Sequence, residues 1–200
     1  MKGINIFLAD GFEDIEALGT CDVLRRGGLK VNLVGIADDP FVVSSHGVTV
    51  GPDCSLADLL EEGPDSADAR DFMIFPGGMP GSKSLAACKP LIHAMNEHYG
   101  RGGSLAAICA APGLVLSQLD GLEGLEFTCF DGFEQALLDK GAQFVNAPAV
   151  CSRPTGSHAG HIITGRSAGH AVAFGLEILR AIKGDEAAEK VRFAMLLGTE

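Results

Sequence analysis

Two hydrophobic periods alternate along this chain. Residues 3–8, Gly-Ile-Asn-Ile-Phe-Leu, form a short apolar run closed by Ala9-Asp10-Gly11. From Glu13 the period lengthens: Ile15, Leu18, Cys21, Val23 and Leu24 recur at three- and four-residue steps until Gly27-Gly28 ends them. This predicts a strand followed by a helix. Lys30 to Ile36, rich in branched side chains, predicts the next strand. Strand, helix, strand is a βαβ unit, whose crossover demands a parallel sheet. Residues 41–50 alternate around Ser45-His46-Gly47 and predict a β-ribbon appended to that sheet; Leu56 to Glu61 predicts a short helix, and 62–70 a polar connection.

The same alternation continues. Phe72 to Phe75 predicts a buried strand that breaks at Pro76-Gly-Gly-Met-Pro-Gly81, with helices over 82–87 and 90–99. Leu105 to Cys109 predicts a strand that runs into helical spacing over 110–118. A short strand at 127–129 and a helix at 133–140 come next. Residues 148–153 and 160–166 predict a hairpin around Thr155-Gly156-Ser157. Residues 168–182 form an apolar helix, and beyond Gly184 an amphipathic segment covers 185–197. With no repeat and no linker, the pattern predicts one α/β domain over 1–200, a doubly wound, mostly parallel sheet between helices. Ligands in such folds collect at the carboxyl ends of strands. Asp10 to Glu16, the Gly77-Gly78 turn and Cys109 all fall at such ends.

At 46% hydrophobic, 200 residues suffice for one well-filled core. The net charge of −11 argues against a nucleic-acid partner and against an anionic membrane surface. No run approaches the roughly 18 apolar residues of a membrane span. Met1-Lys2 leads straight into an apolar strand, so a soluble cytoplasmic protein is expected. The six cysteines stand at 21, 54, 88, 109, 129 and 151 without a C-x-x-C pair. They are expected to be reduced and mostly packing residues, Cys129 and Cys151 included. His158 and His161 lack nearby companions for a metal and read as solvated loop histidines.

Three segments carry candidate chemistry. Ala107 and Ala111 flank Cys109 at the offsets of the glycines in a Gly-x-Ser-x-Gly elbow. Pro112 is tolerated in a first helical turn, and the helix N-terminus there would favour thiolate over thiol. A buried packing cysteine is the alternative. After the Phe75 strand, the Gly78 amide could join that of Ala110 to hold an oxyanion beside Cys109, or the glycines could serve the turn alone. Glu13 and Asp14 suit the first turn of a helix. Glu16, among Ile15, Ala17 and Leu18, could be shut away from water, with a raised pKa that lets it carry a proton for a neighbouring sulfur.

The stretches Gly11-Phe-Glu-Asp-Ile-Glu16, Asp22-Val-Leu-Arg-Arg-Gly27, Phe75-Pro-Gly-Gly-Met-Pro-Gly81, Ala106-Ala-Ile-Cys-Ala-Ala-Pro112 and Thr164-Gly-Arg-Ser-Ala-Gly169 resemble the ThiJ/PfpI superfamily, in its Parkinsonism-associated deglycase (DJ-one) branch. The resemblance runs from about residue 2 to 195. It implies a flavodoxin-like sandwich, a homodimer, a reactive and oxidisable Cys109 hydrogen-bonded to a protonated Glu16, and backbone amides from Gly78 and Ala110. It also implies a cofactor-free, metal-free activity on small reactive carbonyls or glycated substrates, such as conversion of methylglyoxal to lactate, or redox-linked protection in which Cys109 becomes a sulfinic acid. The pocket would take in Gly77, Arg26, His46, Phe130 and Ser167. Several of these depart from the family pattern. Ala110 stands where hydrolase-like members have histidine, and Phe130 where some relatives place an imidazole. His46 replaces an arginine that faces a partner subunit, which bears on an anion pocket built with Arg26. Ser167-Ala168 replaces a Gly-Pro pair.

Overall fold

The computed structural model describes residues 1–61, 68–152 and 159–198. The chain opens with β1 (Ile4–Leu8), a π-helical turn (Ile15–Gly19) that runs into α1 (Thr20–Arg26), and β2 (Val31–Gly35). A ribbon of β3 (Val42–Val43) and β4 (Thr49–Val50) precedes β5 (Cys54–Ser55), α2 (Leu56–Glu61) and β6 (Phe72–Phe75). Next come α3 (Gly81–Ala87), α4 (Lys89–Gly100), β7 (Ser104–Ile108) and α5 (Ala111–Leu114), then β8 (Glu126–Phe127), α6 (Gln135–Leu138) and β9 (Gln143–Phe144). The chain closes with β10 (Ala149–Ser152), β11 (Ile162–Gly165), a 3-10 turn (Ala168–His170), α7 (Ala171–Lys183) and α8 (Asp185–Ala194).

Seven strands form one sheet in the order β10-β11-β7-β6-β1-β2-β5. All neighbours are parallel except β10 and β11. This is the mostly parallel, flavodoxin-like α/β sheet that the sequence predicts. Every residue of β1, β6, β7 and β11 is buried, as expected when helices cover both faces. Period-two alternation sends Ile4, Ile6 and Leu8 to a core shared with Val23, Leu24, Phe174 and Leu179. It sends Phe7, with Met73, Phe75 and Leu105, to a second core with Leu85, Leu91 and Met95. Helices α1 and α7 pack closely: a Cβ on Gly175 would lie 3.0 Å from Val23, and one on Gly27 2.5 Å from Leu179. Among the described residues no helix is long and apolar enough to cross a membrane.

The structure corrects several boundaries. The ribbon forms as a separate two-stranded sheet rather than an extension of the large one. Gly11 N–H donates to Val43 O at 2.8 Å and Ser45 N–H to Phe12 O at 2.8 Å, which fastens it over the β1–helix loop. The strand predicted at 127–129 is Glu126–Phe127, and it pairs in parallel with β9, which the sequence reading missed. It missed β5 as well. The helices predicted over 110–118 and 133–140 shrink to Ala111–Leu114, with a 3-10 turn at Leu116–Gln118, and to Gln135–Leu138. The turn Thr155-Gly156-Ser157 and residues 62–67 of the polar connection lie outside the described residues, but the two hairpin strands pair antiparallel as predicted.

Candidate active site

Strand β7 ends at Ile108, and Cys109 then turns the chain with φ of 65°. Such a backbone is strained for a residue with a side chain, by about 1–2 kcal/mol. Two hydrogen bonds hold it from opposite sides. Cys109 N–H donates to Gly165 O at 3.0 Å, and Phe130 N–H donates to Cys109 O at 2.8 Å. The result is a nucleophile elbow at the carboxyl edge of the sheet, with the sulfur partly buried.

Glu16 reaches the same point from the π-helical turn, a widened turn of the kind frequent at functional sites. It is buried, 1% exposed. Gly77 N–H donates to its Oε2 at 2.7 Å. Its Oε1 is also buried and lacks a hydrogen bond of regular geometry, while the Cys109 thiol pairs with the carboxyl group. Glu13 supports the turn: its Oε2 accepts from Glu16 N–H at 2.7 Å, and its own N–H donates to Gly77 O at 3.0 Å. Three segments thus converge on Gly77, where a Cβ would lie 2.4 Å from Glu16 Oε2 and 2.6 Å from Cys109 Cβ. Gly78, with φ of 93°, needs the left-handed region. The N–H groups of Gly78 and Ala110 lie beside the Cys109 sulfur and favour its charged form.

The electrostatics differ from the sequence expectation in one respect. Burial raises Glu16 from 4.5 to about 7, as expected for a shielded carboxyl. The thiol, however, is not drawn down by a helix dipole. Burial and the neighbouring Glu16 charge push Cys109 up to about 12, against the lowering by the Ala110 and Gly78 amides. Helix α5 has only four residues and so little dipole to offer. The resting pair is a thiol facing a carboxyl that titrates near neutrality.

The remaining predicted pocket residues are scattered. His46 lies on the ribbon turn, exposed, with Nδ1 2.7 Å from Asp14 Oδ2, and Ser44 Oγ donates to the other Asp14 oxygen at 2.5 Å. The Asp14 hydrogen bond raises the His46 pKa. Burial works to raise Asp14, but the Ser44 and His46 bonds hold it below its ordinary value. Glu13, Asp14 and His46 bring one ligand atom each within 4.8 Å of one another, and all three are engaged in the bonds just named. Arg26 stands apart from Cys109 within this chain. It ends α1, at the amino-terminal edge of the sheet and across the fold from Cys109, with Nε 2.6 Å from Asp22 Oδ2. There it lines an open cleft of about 620 Å³ with Lys183 and Lys190.

Phe130 is 47% exposed and touches the elbow through its backbone. Ser167 stands two residues beyond Gly165, and its Oγ lies 2.9 Å from His170 Nδ1. The sequence reading missed His170, an imidazole on the 3-10 turn packed against the π-helical turn; its position three residues past Ser167, ahead of the long apolar helix, was the available signal. It also missed Arg166, whose guanidinium lies 5.4 Å from the Phe144 ring centre and pairs with Asp131 at 2.5 Å. Two cysteine and histidine readings change. Cys129 is buried as predicted, but Cys151 is exposed. His161, read as a solvated loop residue, is buried because it leads directly into β11; His158 lies outside the described residues.

A doubly wound α/β protein with a carboxyl–thiol pair at a nucleophile elbow is the class that fold and site define. The family described as DJ-1/PfpI matches residues 2–181, and the chain belongs to it. Protein DJ-1 homolog A of Arabidopsis thaliana is 30% identical over 98% of this chain. The chain spans about half of that relative, 47% of its length. Protein dj-1beta of Drosophila melanogaster is 31% identical over 98% of this chain and 97% of its own. Glutathione-independent glyoxalase DJR-1.2 of Caenorhabditis elegans is 30% identical over 87% and 84%. The solved structure of oxidized Toxoplasma gondii DJ-1 superposes with a TM-score of 0.83 at 26% identity, covering 99% of this chain and 100% of that one.

Proposed function

We propose that this chain is a cysteine-dependent enzyme of reactive carbonyls that converts methylglyoxal to lactate without a cofactor. The observation that carries this reading is the buried Glu16 carboxyl paired with the Cys109 thiol, with two backbone N–H groups aimed at the same sulfur. Because the thiol is protonated at rest, Glu16 takes its proton as sulfur adds to the aldehyde carbon, giving a hemithioacetal. The Gly78 and Ala110 amides, beside the sulfur, hold the developing oxyanion. Glu16 returns that proton to the oxyanion, which frees the carboxylate to move a proton from the aldehyde-derived carbon to the neighbouring carbon; the new hydroxyl's proton passes to the former ketone oxygen, leaving a lactoyl thioester. Water hydrolyses that thioester, releasing lactate and restoring the thiol. A carboxyl with pKa about 7 suits a group that must both accept and return a proton near neutral pH. The glyoxalase name of the nematode relative supports the same reading. Methylglyoxal turnover by purified protein should vanish in Cys109→Ser; turnover retained in that variant overturns the assignment.

The carboxyl and the two amides support a second reading. A sulfinic acid on Cys109 would find two N–H donors and a protonated Glu16 around its oxygens, as a redox-protective protein requires. Mild peroxide followed by mass spectrometry separates the two: two oxygens gained selectively at Cys109, with negligible carbonyl turnover, favours protection. We also place the protein in the cytoplasm as a homodimer. The cysteines carry no disulfide, and Ile15, Val43 and Val48 stand exposed on and beside the ribbon. Light scattering should give twice the 20.7 kDa chain mass, and Val48→Glu should lower it toward one chain.

A further inference from the structure

Strand β10 forms one edge of the large sheet, and its Cys151 lies opposite Ile163 of β11. Residues two apart along a strand share a face, so His161 is the diagonal neighbour of Cys151 on the same side. Cys151 Sγ and His161 Nδ1 are 3.8 Å apart, within range of a hydrogen bond to sulfur. The backbone of His161 is clamped at both groups: its N–H donates to Ser104 Oγ at 2.8 Å, and its carbonyl accepts from Leu105 N–H at 2.9 Å. His161 is 7% exposed, so the ring is held in place beside an exposed cysteine. Both residues open onto a cleft of about 410 Å³ against α7 and the start of α8, lined also by Glu177, Arg180 and Asp185. Arg180 is already paired with Glu177, with Asp185 at 2.8 Å and with Glu189 at 3.5 Å. Its charge is offset, and the lining is acidic on balance.

We propose that Cys151 and His161 form a second thiol site that reacts with small uncharged oxidants and electrophiles. In the tautomer with the proton on Nε2, Nδ1 takes the proton of the Cys151 thiol. The sulfur attacks one oxygen of a hydroperoxide, and the O–O bond breaks. The departing oxygen recovers the proton from Nδ1, which leaves a sulfenic acid on Cys151 and, from hydrogen peroxide, one water. The acidic cleft disfavours anionic reagents and admits neutral ones. This site shares no residue with the Cys109 elbow and does not depend on the proposed carbonyl chemistry.

The test uses the full chain. Its cysteines are labelled with iodoacetamide or with iodoacetate across the pH range in which imidazoles and thiols titrate, and each labelled peptide is followed by mass spectrometry. Cys151 should react with iodoacetamide about tenfold faster than the half-buried Cys54 and Cys88 at neutral pH, and its rate should level off below the ordinary thiol value of about 8.5. Iodoacetate should lag at Cys151, and a dimedone trap after hydrogen peroxide should mark Cys151. In His161→Gln the Cys151 rate should fall about tenfold and its profile return to that of an ordinary thiol, with Cys54 and Cys88 unchanged. A wild-type Cys151 no faster than Cys54 and Cys88, which needs no variant to observe, overturns the proposal. So does an unchanged profile in His161→Gln, or iodoacetate outrunning iodoacetamide.

Discussion

Replacing Glu16 with glutamine should make the folded protein more stable in mild alkali while removing its activity. Burial moves the carboxyl from 4.5 to about 7, so the fold prefers it neutral. Below its unfolded value the group is protonated in both states and costs nothing. As pH rises from there toward about 7, the unfolded chain ionises first and stability falls; beyond the folded value the penalty is complete. The span from 4.5 to about 7, at about 1.4 kcal/mol for each pH unit, amounts to about 3 kcal/mol. Glutamine never ionises, and its side-chain oxygen can still accept from Gly77 N–H. The stability of the variant relative to wild type should therefore grow by about 3 kcal/mol between about pH 4 and about pH 8, because all other titrating groups are common to both proteins. Urea unfolding of both proteins at a series of pH values, followed by circular dichroism, measures this directly. The same substitution removes the carboxylate beside the sulfur, so the Cys109 thiol should come down from about 12, read by ultraviolet thiolate absorbance. Two pH–stability curves that stay parallel would show that Glu16 ionises like an exposed carboxyl, and the reasoning about the pair would fail.

Gly77→Ala should cost about 1–3 kcal/mol by overpacking and abolish methylglyoxal turnover, since its Cβ would sit 2.4 Å from Glu16 Oε2; an unshifted denaturation midpoint with full activity would contradict the convergence at that residue. Phe174→Ala, at a fully buried ring, should lose about 3–5 kcal/mol in a denaturant titration, and a loss under 1 kcal/mol, roughly that of a surface change, would count against the described core. Asp14→Asn should lower the His46 pKa toward its ordinary value by removing the bonded charge, an effect visible as a shifted imidazole titration by NMR; an unmoved titration would mean that the ion pair does not form in solution.

Much of the site could be read directly from the chain. Cys109, the small residues around it, and the paired glycines at 77 and 78 announce themselves because an elbow and a tight turn impose local demands on backbone angles and side-chain size. The long buried strands and α7 were legible for a similar reason, since their hydrophobic periods repeat over enough residues to be recognised. Two-residue strands such as β5 and β9 are too short to show a period, and their pairing is set by partners elsewhere in the chain. The state of the thiol also depended on distant contacts: Glu16 is fixed by an amide 61 positions away, and the burial of each group is the largest cause of its own shift. Arg26 follows Glu16 by only ten residues, yet a helix running away from the site carries it to the far edge of the sheet. Cys151 and His161, ten residues apart, meet through antiparallel register. Patterns confined to a few neighbouring residues reveal elements and turns, whereas desolvation, pairing and proximity exist once the sheet has assembled.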